Sequence, residues 1–257
     1  MDLELSALHL AVGGRVLVDA LEARCLPGQF WCVLGRNGAG KSTLLKTLAG
    51  LRNPDGGEIR LDQKPLARYG VRPLARCRAY LAQQVTDAFS ASVLDTVMMA
   101  RYPFHSSLAA RLGFEGAADR EIARGALQAL GIDGWQQRDV LTLSGGERRL
   151  VAVATALAQD VALMFLDEPA AHLDVDICQR VFLALSRKVT EGACVVASVH
   201  DPDLAARYAS HVLLLKPDGR HAVGPVAQVL VEKQLSETFM HRIQQVGVDG
   251  QRRFLTG

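Results

Sequence analysis

No charge of one sign dominates this chain, no cysteines pair by spacing, and no apolar run is long enough to cross a bilayer. Its 29 basic and 27 acidic residues are mixed along 257 positions and leave a net charge of +2. Nothing in that balance calls for nucleic acid or an anionic surface as a partner, although phosphate groups could still be held locally. The five cysteines, Cys25, Cys32, Cys77, Cys178 and Cys194, are odd in number and show no C-x-x-C spacing. That argues against a disulfide framework and a zinc site, and fits a reducing cytoplasm. The opening MDLELSALHL is acidic and has no basic segment leading into an apolar core, unlike a secretory signal. The longest apolar stretch, 150–166, is cut by Gln159 and Asp160 and is too short on either side to span a membrane. Internal repeats, low-complexity tracts and sustained heptads are also missing. What remains is a soluble globular chain, 49% hydrophobic, able to bury a large core as one domain or as a core with an embedded subdomain. Service to a membrane is then expected from the cytoplasmic side, through a partner.

Three apolar runs share one habit. FWCVL (30–34), ALMFL (162–166) and CVVASV (194–199) each end abruptly in polar residues capable of chemistry. Short continuous apolar runs read as strands buried on both faces, as in a parallel sheet. Between them, 42–49, 175–189 and 202–209 carry helical patterns, the first stopped by Gly50 with Pro54 beyond. The first 30 residues and 58–61 read as strands of a smaller antiparallel layer. The region of about 86–160 is mainly helical in pattern and reads as an inserted helical subdomain. In such α/β sheets, ligands gather at the carboxyl ends of the strands.

GRNGAGKS (35–42) follows the first of these strands and opens a helix, and it fits G-x-x-x-x-G-K-[ST]. Gly35, Arg36, Asn37, Gly38, Ala39, Gly40, Lys41, Ser42 and Thr43 are therefore the candidate phosphate-binding residues. The glycines let successive backbone N–H groups turn inward on a phosphate, and the helix N-terminus adds a field that favours an anion. Lys41 can reach the β and γ oxygens, and Ser42 can ligate Mg²⁺. A bare glycine turn would not need the Lys-Ser pair. In ALMFLDEP, Asp167 closes a buried strand, where a carboxylate can hold Mg²⁺ through water, and Glu168 follows directly. Glu168 is the candidate to polarise the attacking water, which favours hydrolysis over transfer to a second substrate.

LSGGE (143–147), together with GRNGAGKS, FLDEP and ASVHDPDLAARYA, resembles the ATP-binding cassette family, the ATPase subunits of ABC transporters. The motifs keep the family's order over nearly the whole chain. The resemblance implies an α/β fold, a P-loop NTPase of RecA-like core with an antiparallel β layer and a helical subdomain, and a nucleotide-dependent dimer that hydrolyses ATP with Mg²⁺. By position it implies that Gln83 senses Mg²⁺ and the γ-phosphate, and that His200 contacts the γ-phosphate and helps orient water. Asp174 then belongs to a loop that crosses between subunits, and His172 to loop packing. Departures are also visible. Val12 stands where many members carry an adenine-stacking aromatic residue, Ala171 where serine is common, and Leu150 and Thr155 where arginine is frequent.

The glycine turn of LSGGERRL has a local explanation, since Ser144 and Glu147 make an S-x-x-E capping box above an apolar helical face. The same helix N-terminus is an anion site. Because Gly35 to Ser42 already cradle one set of phosphates, Ser144, Gly145 and Gly146 are assigned to the γ-phosphate bound by a second copy.

FSASVLDTVMMARYPF (89–104), RAYLAQQ (78–84) and LSETFMHRIQQVGVDGQRRFL (235–255), the last within a C-terminal tail of about 225–257, resemble importers of iron-siderophores, haem and cobalamin, with cobalamin slightly favoured. That resemblance implies a homodimer working with two transmembrane permease subunits, and indirectly with a substrate-binding protein, peripheral to the cytoplasmic face of the inner membrane. The surface near Gln83 and 89–104 is the expected permease contact. A soluble cassette ATPase without a transport role and an exporter subunit stand as alternatives.

Overall fold

The computed structural model describes residues 1–84, 89–105, 116–248 and 251–256. Within the expected helical interval, 86–88 and 106–115 lie outside the described residues, as do 249–250 and 257 of the tail. Three apolar runs of the sequence become adjacent parallel strands: β3 (Phe30–Gly35), β7 (Leu163–Asp167) and β8 (Cys194–Ser198). With β6 (Arg78–Leu81), β9 (His211–Leu215) and the antiparallel edge β10 (His221–Pro225), they form a six-stranded sheet in the order β10-β9-β3-β8-β7-β6.

Both faces of this sheet are covered, which is why its strands read as unbroken apolar runs rather than alternating ones. Phe30, Cys32 and Leu34 point into one core with Met164, Leu166, Val195 and Ala197. Their neighbours Trp31 and Val33 point into the other, with Phe165, Cys194 and Val196. The first core is closed by helices α3 (Val93–Met98), α4 (Ala117–Ala129), α5 (Gly145–Ala158) and α6 (Val175–Thr190). The second is closed by α1 (Lys41–Leu48) and by an antiparallel layer in the order β2-β1-β4-β5. That layer consists of β1 (Leu3–Val12), β2 (Arg15–Cys25), β4 (Gly56–Leu61) and the short β5 (Lys64–Pro65).

Between β4 and α4, helix α2 (Val71–Ala75) leads into β6, and α3 runs into a 3-10 segment, Met99–Phe104. After β8 come α7 (Pro202–Tyr208), the short α8 (Val226–Val229) and α9 (Glu232–Phe239), and then a hairpin of β11 (Ile243–Val248) and β12 (Gln251–Thr256). Strand β9, HVLLL, is a fourth run of the same type. It ends at Lys216 and Pro217 without catalytic chemistry, so no motif marks it. Strand β6 is short and mixed in polarity, and its pairing comes from β7, a neighbour distant in sequence, whereas β11 and β12 pair with each other as adjacent segments.

Candidate functional site

The carboxyl ends of β3, β6, β7 and β8 open onto one cavity of about 730 Å³. The loop leaving β3 turns into α1 at Gly40, whose φ of 101° belongs to the left-handed region. A Cβ added at Gly40 would also lie 3.0 Å from Leu17, so only glycine brings the helix N-terminus this close to β2. No acidic side chain occupies the first turn of α1, which leaves its positive end available to an anion. Lys41 is buried, and its ammonium donates to the carbonyls of Gly35 at 2.8 Å and Arg36 at 3.3 Å. Burial lowers its pKa, opposed by the nearby carboxylates of Glu168 and Asp167. A cation held in the loop by carbonyls, near two carboxylates, is poised to exchange those weak partners for phosphate oxygens.

At the end of β7, Asp167 is 1% exposed. Its Oδ1 accepts from Ser198 Oγ at 2.7 Å, while Oδ2 is buried without a hydrogen-bond partner. Ser198 Oγ also accepts from the Glu168 amide at 2.8 Å, so one hydroxyl on β8 locks the two acidic residues together. Glu168 has a φ of 52°, uncommon for a side chain of this kind, which breaks the strand direction at this point. Its Oε1 lies 2.6 Å from His200 Nε2. Glu168, His200 and Gln83 line the same cavity as Asn37, Gly38 and Gly40 to Thr43. His172, expected only to pack a loop, lines it too and has a positive φ of 61°.

One chain therefore brings the phosphate loop together with Gln83, Asp167, Glu168 and His200. Ser144, Gly145, Gly146 and Asp174 do not line the cavity. Ser144 caps α5 by accepting from the Glu147 amide at 3.3 Å, and Glu147 Oε2 accepts from the Ser144 amide at 2.8 Å. Arg138 donates to Glu147 Oε1 at 2.7 Å, and these bonds hold the Glu147 carboxyl down to about 2. Ser144 and Gly145 are exposed, and Asp174 precedes α6 without a capping bond from its side chain.

Arg149 is the residue that motif reading misses. It projects from α5, is 6% exposed, and donates to the carbonyls of Ala82 at 2.6 Å, Gln83 at 3.2 Å, Glu168 at 2.6 Å and Asp167. A single guanidinium thus ties the helix that begins at Ser144 to the Gln83 loop and to the acidic end of β7. The available signal was a charged residue on the apolar side of α5, next to Leu150 and four positions before Val153.

A family model described as ABC transporter matches residues 18–171, more than half of the chain. The chain belongs to the ABC transporter family. Consistent with that family, it is an ATPase whose cassette binds ATP. The hemin import ATP-binding protein HmuV of Gloeobacter violaceus is 40% identical over 244 residues, covering 92% of this chain and 86% of that protein. The petrobactin import ATP-binding protein FpuD of Bacillus anthracis is 33% identical over 243 residues, covering 94% and 88%. Among solved structures, an inward-facing ABC transporter described as of metal-chelate type superposes with a TM-score of 0.83 at 27% identity, covering 99% of this chain and 97% of that one. Among the described residues, no helix is long and apolar enough to cross a membrane.

Proposed function

We propose that this chain is the ATP-hydrolysing subunit of an importer for a metal chelate, working as a homodimer beneath two permease subunits. In this reading it sits at the cytoplasmic face of the inner membrane and meets a substrate-binding protein only indirectly. The observation that carries hydrolysis is the Glu168–His200 contact of 2.6 Å at the mouth of a phosphate-loop cavity. Glu168 takes a proton from water as the water oxygen bonds to the γ-phosphorus, and the bond from that phosphorus to the β-bridging oxygen breaks to release ADP. His200 holds the Glu168 carboxylate in place, and Ser198 fixes the backbone that carries it. Lys41 and the loop amides offset charge on the phosphate oxygens.

Mg²⁺ fits the donor set. The unpartnered Asp167 Oδ2, the Ser42 hydroxyl and the Gln83 amide oxygen are all hard oxygen donors. Among the described residues no cluster of three or more His, Cys, Asp or Glu side chains would hold a metal by itself, which favours an ion arriving with phosphate. When bound, it neutralises phosphate charge. Ser144, Gly145, Gly146 and Asp174 act on the nucleotide held by the other copy, since a second exposed helix N-terminus has no use within its own cavity.

Import of a chelate is supported by the hemin and petrobactin relatives and by the metal-chelate type neighbour, and their names put haem and ferric siderophore ahead of cobalamin. A second groove of about 490 Å³ is the proposed permease seat. It runs between Tyr80, Leu81, Ala82 and Gln84 and the helical region, with Thr96, Met99 and Val151 on its walls. Phe89, Met99 and Tyr102 are exposed large apolar side chains of the segment 89–104. Tagged chain should co-purify with a multispan permease, and the reconstituted complex should drive ATP-dependent uptake of haem or a ferric siderophore into vesicles. Absence of a permease would favour a soluble role, and net efflux would favour export.

A further inference from the structure

The cavity has an end that the hydrolytic residues do not use. In the six-stranded sheet, β3 lies between β8 and β9. Gln83, Glu168 and His200 follow β6, β7 and β8, all on one side of the phosphate loop. On the other side stands the β1–β2 hairpin, contributing Val12, Arg15 and Leu17 to the wall.

Its position is set by contacts across the β9–β10 turn. The Asp19 amide donates to the Gly219 carbonyl at 3.2 Å, and Arg15 Nη2 donates to the Pro217 carbonyl at 3.2 Å. The hairpin turn is Gly13–Gly14, with φ of 58° and 79°, a pairing that suits a tight type I′ turn. Val12 and Arg15 are cross-strand partners directly beside that turn, so their side chains share a face. Leu17 is buried beneath Gly40 and forms floor rather than contact surface. Val12, 51% exposed, and the exposed Arg15 are therefore the side chains presented at this end.

ATP needs three things from such a cavity: an anion cradle, a hydrolytic end, and a surface for a flat purine. The cradle and the hydrolytic end are already occupied by other residues. Val12 offers a small branched aliphatic surface with no ring. Arg15 offers a planar guanidinium that lines the cavity and is held at one edge by a carbonyl, with no carboxylate paired to it among the described residues. A planar cation stacks well on an aromatic base.

We propose that Arg15 supplies the stacking surface for the nucleobase of ATP, with Val12 packing beside it. This rests on the cavity being the ATP site. The guanidinium recognises the base and not the phosphates, because Lys41 and the loop amides already form the anion cradle while Arg15 is anchored on the Pro217 carbonyl and stands beside Val12 on the hairpin.

The test is equilibrium binding of ATP and of inorganic tripolyphosphate to purified chain, with steady-state kinetics alongside. Arg15→Ala should weaken ATP binding about three- to five-fold and leave tripolyphosphate unchanged, with the loss appearing in KM and not in kcat. Arg15→Lys, which keeps the charge but not the plane, should lose most of the same factor. Adding Val12→Tyr to Arg15→Ala should restore ATP affinity by providing a ring. Unchanged ATP binding in Arg15→Ala, or an equal loss for tripolyphosphate, would overturn the assignment. Lys41→Ala serves as the control for the site itself: if it bound both ligands like the wild type, the cavity would not be the ATP site, a failure distinct from that of Arg15.

Discussion

Replacing Arg149 with methionine removes a guanidinium that is buried against four carbonyls. The carbonyls of Ala82 and Gln83 lie at a partly exposed loop and can be rehydrated. Those of Asp167 and Glu168 sit at the buried end of β7 and would be stranded, at about 1–3 kcal/mol each. Removing a desolvated charge returns part of this, since burial already lowers the Arg149 pKa against the pull of Asp167, Glu168 and Tyr80. The net loss should be about 2–4 kcal/mol, which corresponds to a fall of roughly 6–12 °C in melting temperature near the middle of that range. Catalysis should suffer separately. The Gln83 loop and Glu168 lose their common anchor, so kcat should drop about ten-fold or more, while ATP affinity, set by the Lys41 loop, changes by less than about two-fold. Arg149→Lys should fall between, because a compact ammonium reaches fewer of the four oxygens. Urea denaturation, nucleotide titration and steady-state ATPase on the three proteins are the measurements. A stability change below about 1 kcal/mol with unaltered kcat would refute the claim that this side chain joins the two regions.

Other outcomes follow from the same geometry. Glu168→Gln should retain ATP binding but slow hydrolysis by about a hundred-fold or more, and an ATP-bound dimer should accumulate in size-exclusion chromatography; normal turnover would remove Glu168 from the base role. Mixing Lys41→Ala chains with Ser144→Arg chains should restore part of the ATPase activity, because heterodimers then contain one intact composite site. An inactive mixture would mean that each site is built within one chain. The capping box should titrate in acid. Because Arg138 and the Ser144 bonds depress the Glu147 carboxyl to about 2 in the folded chain, its contribution is complete above the ordinary glutamate value of about 4.5 and is lost as pH falls towards 2. Glu147→Gln should therefore lower the melting temperature by a few degrees at pH 7, and the gap should close in acid.

How much was legible beforehand depended on whether the chemistry was local. The phosphate loop is a run of consecutive residues whose backbone does the binding, and the acidic pair ends a strand whose two-faced burial leaves an unbroken apolar run. Ser144 with Glu147 likewise reads as a cap from a spacing of three. These features need only a few neighbouring φ/ψ values, and the sequence by itself determined them, along with the parallel core and the antiparallel layer. Other features required the sheet order. Ser198 joins Asp167 to Glu168 only because β8 pairs in register beside β7. Arg149 reaches two segments because α5 crosses the carboxyl ends of β6 and β7, and Arg15 meets the nucleotide cavity because the β1–β2 hairpin is tied to the turn after β9. Their partners lie 18 to 202 positions away in sequence. No local pattern encodes such distances, so only tertiary packing, in which buried strands choose neighbours that satisfy both faces and every backbone group, decided them.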